Sequence, residues 1–181
     1  MLCLIIGTST PYAQNQTSHS VKIALPEVTL INIVSSTNNV VLLKGEVTTE
    51  AGKPVVFNQT DKSIWINYSS IIGSKTEPNR NVSVEISEGF VPIGLELAIK
   101  VSKDIGLGNG KMGKPIEEKQ ELSHNPIIII TEIESSNTGV GANKGYNVEY
   151  SLSRKNENST FDKIDFNKAS SLIITYTLSD Y

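Results

Sequence analysis

Three features of the sequence predict an all-β chain. Apolar residues recur at every second position along most of its length. The apolar set is dominated by Ile, Val and Leu, which suit a pleated sheet better than long helices. Clusters of Ser, Thr, Asn, Gly and Pro cut the chain at short intervals, as turns between strands do. With 181 residues, the chain is long enough for one domain with a full core. Many short strands without a convincing helix predict a β-sandwich of antiparallel strands.

The elements follow in chain order. His19 to Leu25 alternates, with Val21, Ile23 and Leu25 on one face. Pro26 cannot donate to a ladder and places this stretch at an edge or a bend. Val28 to Val34 resumes as a strand, and Ser35 to Asn39 is a turn cluster. Val40 to Val47 reads as a further strand, closed by the turn Glu50 to Pro54. Ser63 to Tyr68 is β-rich, and Trp65 at its centre is expected to fill the core. Trp65 and Tyr68 differ by three positions and so point to opposite faces.

Gly73 to Asn79 is a loop. Val82, Val84 and Ile86 then alternate with Ser83, Glu85 and Ser87. Leu95, Leu97, Ile99 and Val101 form the next strand after a turn at Gly89 and Pro92. Gly106 to Gly113 reads as a glycine-rich loop, and Ile116 to Ser123 as at most a short turn of helix. The apolar run after Pro126, Ile127 to Ile130, predicts a strand buried on both faces. Thr138 to Gly145 is a second glycine-rich turn, followed by alternation at Val148, Tyr150 and Leu152. Lys155 to Lys168 is polar and loop-like. The last strand sets Leu172, Ile174, Tyr176 and Leu178 against Ile173, Thr175 and Thr177.

Composition narrows the function. The 16 Lys and Arg against 19 Asp and Glu give a net charge of −3. That argues against nucleic acid, which needs a basic face, and against a polybasic membrane anchor. No later apolar run approaches the ~18 residues of a membrane-spanning helix. The apolar start Met1 to Ile6, followed by the small and polar stretch Gly7 to Gln14, reads as a secretory signal segment covering residues 1–13. Residues 14–181 then form a single exported domain, secreted or held at the cell surface. Cys3 is the one cysteine, so this domain has no disulfide, no thiolate metal site and no cysteine nucleophile.

No constellation for catalysis emerges. His19 and His124 both have loop-like flanks and read as surface residues. No Gly-x-Ser-x-Gly elbow presents a serine. A glycosidase needs two convergent acids. Of Glu85, Glu96, Glu132, Glu134 and Glu149, three sit on the polar phase of half-buried strands and read as a solvated face. The 106–113 stretch lacks the Lys-Ser/Thr ending of a phosphate loop. Asp104 and Asn109 lack the acidic spacing of a calcium loop. The chain is therefore expected to be non-enzymatic, with no cofactor and no metal. Its five Asn-x-Ser/Thr triplets, at Asn15, Asn58, Asn67, Asn81 and Asn158, follow from a composition rich in those residues.

Four stretches carry a resemblance. Leu25-Pro26-Glu27-Val28-Thr29-Leu30-Ile31-Asn32-Ile33, Trp65 to Ile71, Thr138 to Leu152 and Ile173 to Asp180 together span nearly all of residues 14–181. They resemble secreted proteins of Bacteroidetes type that look like fimbrial subunits or adhesins with immunoglobulin-like sandwiches. The resemblance implies a structural or adhesive role at the cell surface and no catalytic residues. It also implies that a terminal strand can complete a neighbour's sheet. Val21, Ile23 and Leu25 have the character of such a strand, although sheet edges are common and exchange is rare, which favours an ordinary first strand in the chain's own sheet. Partners would be copies of the chain or another surface protein. The rival expectation is a carbohydrate-binding module, with Tyr68, Phe90, Tyr146 and Phe161 as exposed glycan contacts.

Overall fold

The computed structural model describes residues 16–37, 40–46, 49–53, 55–73, 78–155, 164 and 170–180. The signal segment, Cys3, Asn15, Asn158 and Phe161 lie outside them. The fold is all-β, with nine strands and no helix among the described residues. They are β1 (Val28–Ser35), β2 (Gln59–Ile71), β3 (Arg80–Glu88), β4 (Leu95–Val101), β5 (Asn109–Pro115), β6 (Gln120–Glu121), β7 (Ile127–Asn137), β8 (Tyr146–Arg154) and β9 (Ile173–Asp180).

Every ladder is antiparallel. One flank runs β6-β4-β8-β2, with β1 added to the far side of β2. The other runs β7-β3-β9, with β5 on the remaining side of β7. The flanks meet where β2 leaves β8 and pairs with β7 at Ser69↔Asn137 and Ser70↔Ser136. The result is sandwich-like, with a single core between the flanks.

The two-residue period explains the core directly. On β2, Ile64, Ile66 and Tyr68 point inward. Tyr146, Val148 and Tyr150 on β8, and Leu97, Ile99 and Val101 on β4, continue that layer. Val82, Val84 and Ile86 on β3, Ile129, Ile130 and Ile133 on β7, and Leu178 on β9 close it from the other side. β7 bears both Ile130 and Ile133 inward because a bulge intervenes. Its pairing with β3 slips between Val82↔Ile130 and Arg80↔Ile133, and Glu132 takes a left-handed φ of 57°.

Several expectations are corrected. His19 to Leu25 joins no ladder. Residues 40–46 are not a strand, although they keep the alternation: Val41 and Leu43 pack on the core, while Val40 and Leu42 are exposed. Their regular pairing reduces to one bridge, Glu46↔Val56. The segment 109–113, read as loop, belongs to β5. There Gly110 (φ 88°) and Gly113 (φ 73°) lie so close to β7 that a Cβ would fall 2.2 Å from the Ser135 carbonyl oxygen and 2.5 Å from that of Thr131. Residues 116–123 contain no helical turn; Gln120 and Glu121 form β6. Ile128 is 42% exposed, so the 127–130 run is not buried on both faces. Trp65 is only half-buried, on the face of β2 opposite Ile64, Ile66 and Tyr68. It stands between Val34 of β1 and Asn147 of β8. Its opposition to Tyr68 is as the spacing predicts.

Candidate functional site

The most distinctive polar feature is Arg80, which opens β3 and is only 1% exposed. Its Nε donates to Asp180 Oδ1 at 2.8 Å, and Nη1 donates to the Val28 carbonyl at 2.7 Å and to Ser70 Oγ at 3.1 Å. Nη2 pairs with Glu27. The guanidinium therefore ties the start of β1, the end of β2 and the last turn of chain on β9 to one point. A planar fork with five N–H donors suits this, because a buried cation must have its hydrogen bonds filled. Nothing in the sequence around Arg80 marked it: it follows a loop and precedes an alternating strand.

From this clamp the chain runs on in the N-terminal direction as an exposed segment. Residues 16–26 are exposed and in no ladder. Val21 is 72%, Ile23 85% and Leu25 86% exposed. Three large aliphatic residues at spacing two thus stand in solvent on a segment outside the sheet. Scattered single hydrophobes on a surface are ordinary, whereas an in-phase row on unpaired backbone has the form of a strand without a sheet.

The sheet also has open edges. Among the described residues, β1 pairs only with β2 and β9 only with β3. Their inward residues pair across to buried core residues: Ile31↔Tyr68, Ile33↔Ile66, Tyr176↔Val84 and Ile174↔Ile86. Yet Ile31, Ile33, Ile174 and Tyr176 are themselves only partly buried. The core is thinner along this flank than anywhere between β8, β2, β7 and β3.

Of the aromatic residues named as glycan contacts, two meet, but in the core rather than on the surface. Tyr68 and Tyr146 are buried and stack on each other, with ring centroids 5.9 Å apart and planes at 19°. Both hydroxyls donate to the Met112 carbonyl, and Tyr146 Oη also reaches Gly113 O at 3.2 Å. Burial raises the Tyr68 hydroxyl far above the ordinary tyrosine range, and the Tyr146 oxygen adds to this. Burial pushes Tyr146 up to about 12 against the opposing hydrogen bond from Tyr68. Neither ring face can meet a sugar. Phe90 is exposed on its own loop, and Phe161 lies outside the described residues. A second tyrosine pair, Tyr150 and Tyr176, shares a 2.5 Å hydroxyl contact. Burial pushes Tyr150 up to about 12 and raises Tyr176 well above the ordinary tyrosine range.

The ionisable residues disperse over the surface. Glu149 pairs with Lys62 at 3.1 Å, Glu134 with Lys111 at 2.5 Å and Glu132 with Lys114 at 2.7 Å. His124 is exposed, with Nδ1 2.8 Å from the Ile86 carbonyl, and His19 lies in the exposed 16–26 strip. Asp104 Oδ2 accepts the Gly106 N–H at 2.6 Å, while Asn109 stands in β5 opposite Asn137. Among the described residues no three of His, Cys, Asp and Glu converge as metal ligands. Asn67 and Asn81 are buried, and the Asn67 carboxamide bonds Lys144 O at 2.7 Å and Gly141 N at 2.8 Å. Both are structural rather than glycan-acceptor positions.

One open groove of about 560 Å³ lies at the β2–β7–β5 junction. Its floor includes Ser69, Asn109, Ser136 and Asn137, and Ile71 and Val140 flank it. No charged residue lines it, and most of its exposed lining is apolar, with serine and asparagine side chains among it. No helix among the described residues is long and apolar enough to cross a membrane. Compared with protein-family models, curated proteins and solved structures, the chain has no match.

Proposed function

We propose that this chain is a secreted or cell-surface structural or adhesion protein, fimbrial-subunit-like and non-enzymatic, built as an immunoglobulin-like sandwich and acting through its sheet edges and loops. One observation carries the reading: residues 16–26 present Val21, Ile23 and Leu25, exposed and at spacing two, on backbone that joins no ladder among the described residues. Such a strip gains both ladder hydrogen bonds and apolar burial when it joins another sheet edge. The partner of this reading is a second copy of the chain or another surface protein. Size-exclusion chromatography with light scattering tests it, on the whole chain and on a variant lacking residues 16–26. Residues 16–26 are exposed and join no ladder, so the variant is expected to keep the thermal midpoint of the whole chain. Self-association in the first and monomer in the second is the expected result; monomer in both ends the strand-donation reading.

A glycan-binding role is the second reading, and one observation supports it in altered form. The neutral groove at Ser69, Asn109 and Asn137 offers hydroxyl and amide groups without charge, the chemistry that neutral sugars require. Tyr68, Phe90 and Tyr146 do not line it. Glycan binding that survives Asn137→Ala together with Asn109→Ala removes this site.

A further inference from the structure

We propose that Asp104, with the hydroxyl oxygens of Tyr68 and Tyr146, forms a weak binding site for a hard cation, calcium, where the β4–β5 connection passes the start of β8. Cation binding there does not require self-association. Three observations point to it.

The first is an orphaned oxygen. Asp104 is half-buried just after β4, and its Oδ2 accepts the Gly106 N–H at 2.6 Å. Its Oδ1 is cut off from solvent and meets no donor among the described residues. A buried carboxylate oxygen without a donor is strongly unfavourable, and folded proteins fill such places with water or an ion. The second is where that oxygen lies. Ser102 N–H donates to Asn147 O at 3.0 Å, and Ile105 N–H donates to Gly145 O at 3.3 Å. Asp104 is thereby held alongside Tyr146. Burial is the main cause that raises both the Tyr68 and the Tyr146 phenol, and the Asp104 charge adds to it in each. A carboxylate acts on two buried hydroxyls in this way only from close by.

The third is the count of protons. Both phenols donate to the Met112 carbonyl of β5, and a hydroxyl has one proton to give. Neither has one left for Asp104. Each keeps lone pairs, so the carboxylate oxygen has two further acceptors beside it and no donor. Gly113 O, 3.2 Å from Tyr146 Oη, is another neutral oxygen at this end. A cation satisfies such a set at once. Oxygen donors alone select hard cations over transition metals, which seek nitrogen or sulfur. Calcium takes six to eight oxygens in an irregular shell, whereas magnesium demands a near-octahedral one. Because Asp104 is half-buried, water completes the shell from the solvent side. One carboxylate makes the site weak, with a dissociation constant of about 0.1–1 mM. Its donors come from β2, β8 and the β4–β5 connection, so no acidic run in the sequence marks it. The bound ion ties that connection, with its exposed Ile105 and Leu107, to the tyrosine pair.

The test titrates the whole chain with terbium, a calcium substitute that emits when a nearby phenol is excited. Saturable emission, displaced by calcium and not by equal magnesium, is expected. Calcium at roughly ten times its dissociation constant should raise the thermal midpoint by about 3–6 °C and slow amide exchange in residues 102–108. Asp104→Asn keeps an acceptor for the Gly106 N–H while removing the charge. It should hold the fold and weaken terbium and calcium binding about tenfold or more. Absence of saturable emission, or a midpoint that calcium raises no more than magnesium does, overturns the site. Equal binding by Asp104→Asn also overturns it and puts the ion on surface carboxylates. Should that variant fail to fold, amide exchange of the unsubstituted chain decides: calcium-dependent protection that spares residues 102–108 overturns the site.

Discussion

At the scale of single residues, Arg80 and the tyrosines decide what the fold tolerates. Arg80 is buried, while the carboxylates it binds are partly exposed, at 41% for Glu27 and 49% for Asp180. Removing the guanidinium takes one donor each from the Val28 carbonyl, Ser70 Oγ and the Glu27 and Asp180 carboxylates. Water can reach the carboxylates, so the loss falls at the lower end for a broken buried pair. Arg80→Leu should cost about 3 kcal/mol, read from urea unfolding. Arg80→Lys keeps the charge but cannot reproduce the fork, and should recover only part of it. A loss under about 0.5 kcal/mol for Arg80→Leu would mean the clamp is ornamental. The tyrosines bear on alkaline pH. Burial lifts Tyr146 and Tyr150 to about 12 in the folded chain, above about 10 when unfolded. A raised folded pKa means the neutral phenol is favoured by folding. Its contribution is complete below pH 10 and is lost as pH climbs from there through the folded values. Four of the six tyrosines should thus resist ionisation in the native chain. Absorbance near 295 nm should rise for them only with unfolding. Smooth ionisation of all six near pH 10 in folded protein contradicts this.

At the scale of elements, glycine separates what was readable from what was not. Strands 28–34, 82–87, 95–101, 148–152 and 172–178 were legible because each sets one face against the core, and a half-buried strand writes its burial as alternation. β5 was not. Its glycines read as loop, yet they serve close approach: Gly113 has φ 73° and would place a Cβ 2.5 Å from Thr131 O. Gly113→Ala should therefore separate β5 from β7 and cost about 2–3 kcal/mol, with faster amide exchange in residues 109–115. Gly52 is the control. It too has positive φ, 89°, but nothing lies within 4 Å of its Cβ position, so Gly52→Ala should cost only about 1 kcal/mol. Equal losses at the two positions would refute the close-approach account. The candidate surface divides the same way. The Val21-Ile23-Leu25 row was visible as periodicity. Its lack of a partner was not, because alternation says which face is apolar and not which sheet the strand joins. Residues 40–46 show the same limit: the pattern is kept, and the ladder is missing. Arg80 and the thin β1–β9 flank are products of three-dimensional meeting, and no local pattern encodes them.

At the scale of the molecule, the arrangement pairs a well-closed centre with two unfinished features, the strip and the flank. The centre is built where β2, β8, β3 and β7 each have neighbours on both sides, and strands so placed open only with global unfolding. The strip is exposed and joins no ladder, so its amides in dilute monomer should exchange at the rate of an unstructured peptide. A self-assembling chain adds a concentration dependence that no isolated domain shows. As copies associate, residues 19–25 should gain protection together with the outer amides of a sheet edge, and the central strands, already protected, should change little. Exchange measured by mass spectrometry at low and high protein concentration separates the alternatives. Protection of 19–25 in the dilute monomer would place the strip on its own domain. Protection confined to the 138–145 and 106–108 loops at high concentration would move the contact to the groove end of the molecule. Joint protection of strip and edge is the outcome that assembly through the exposed row requires.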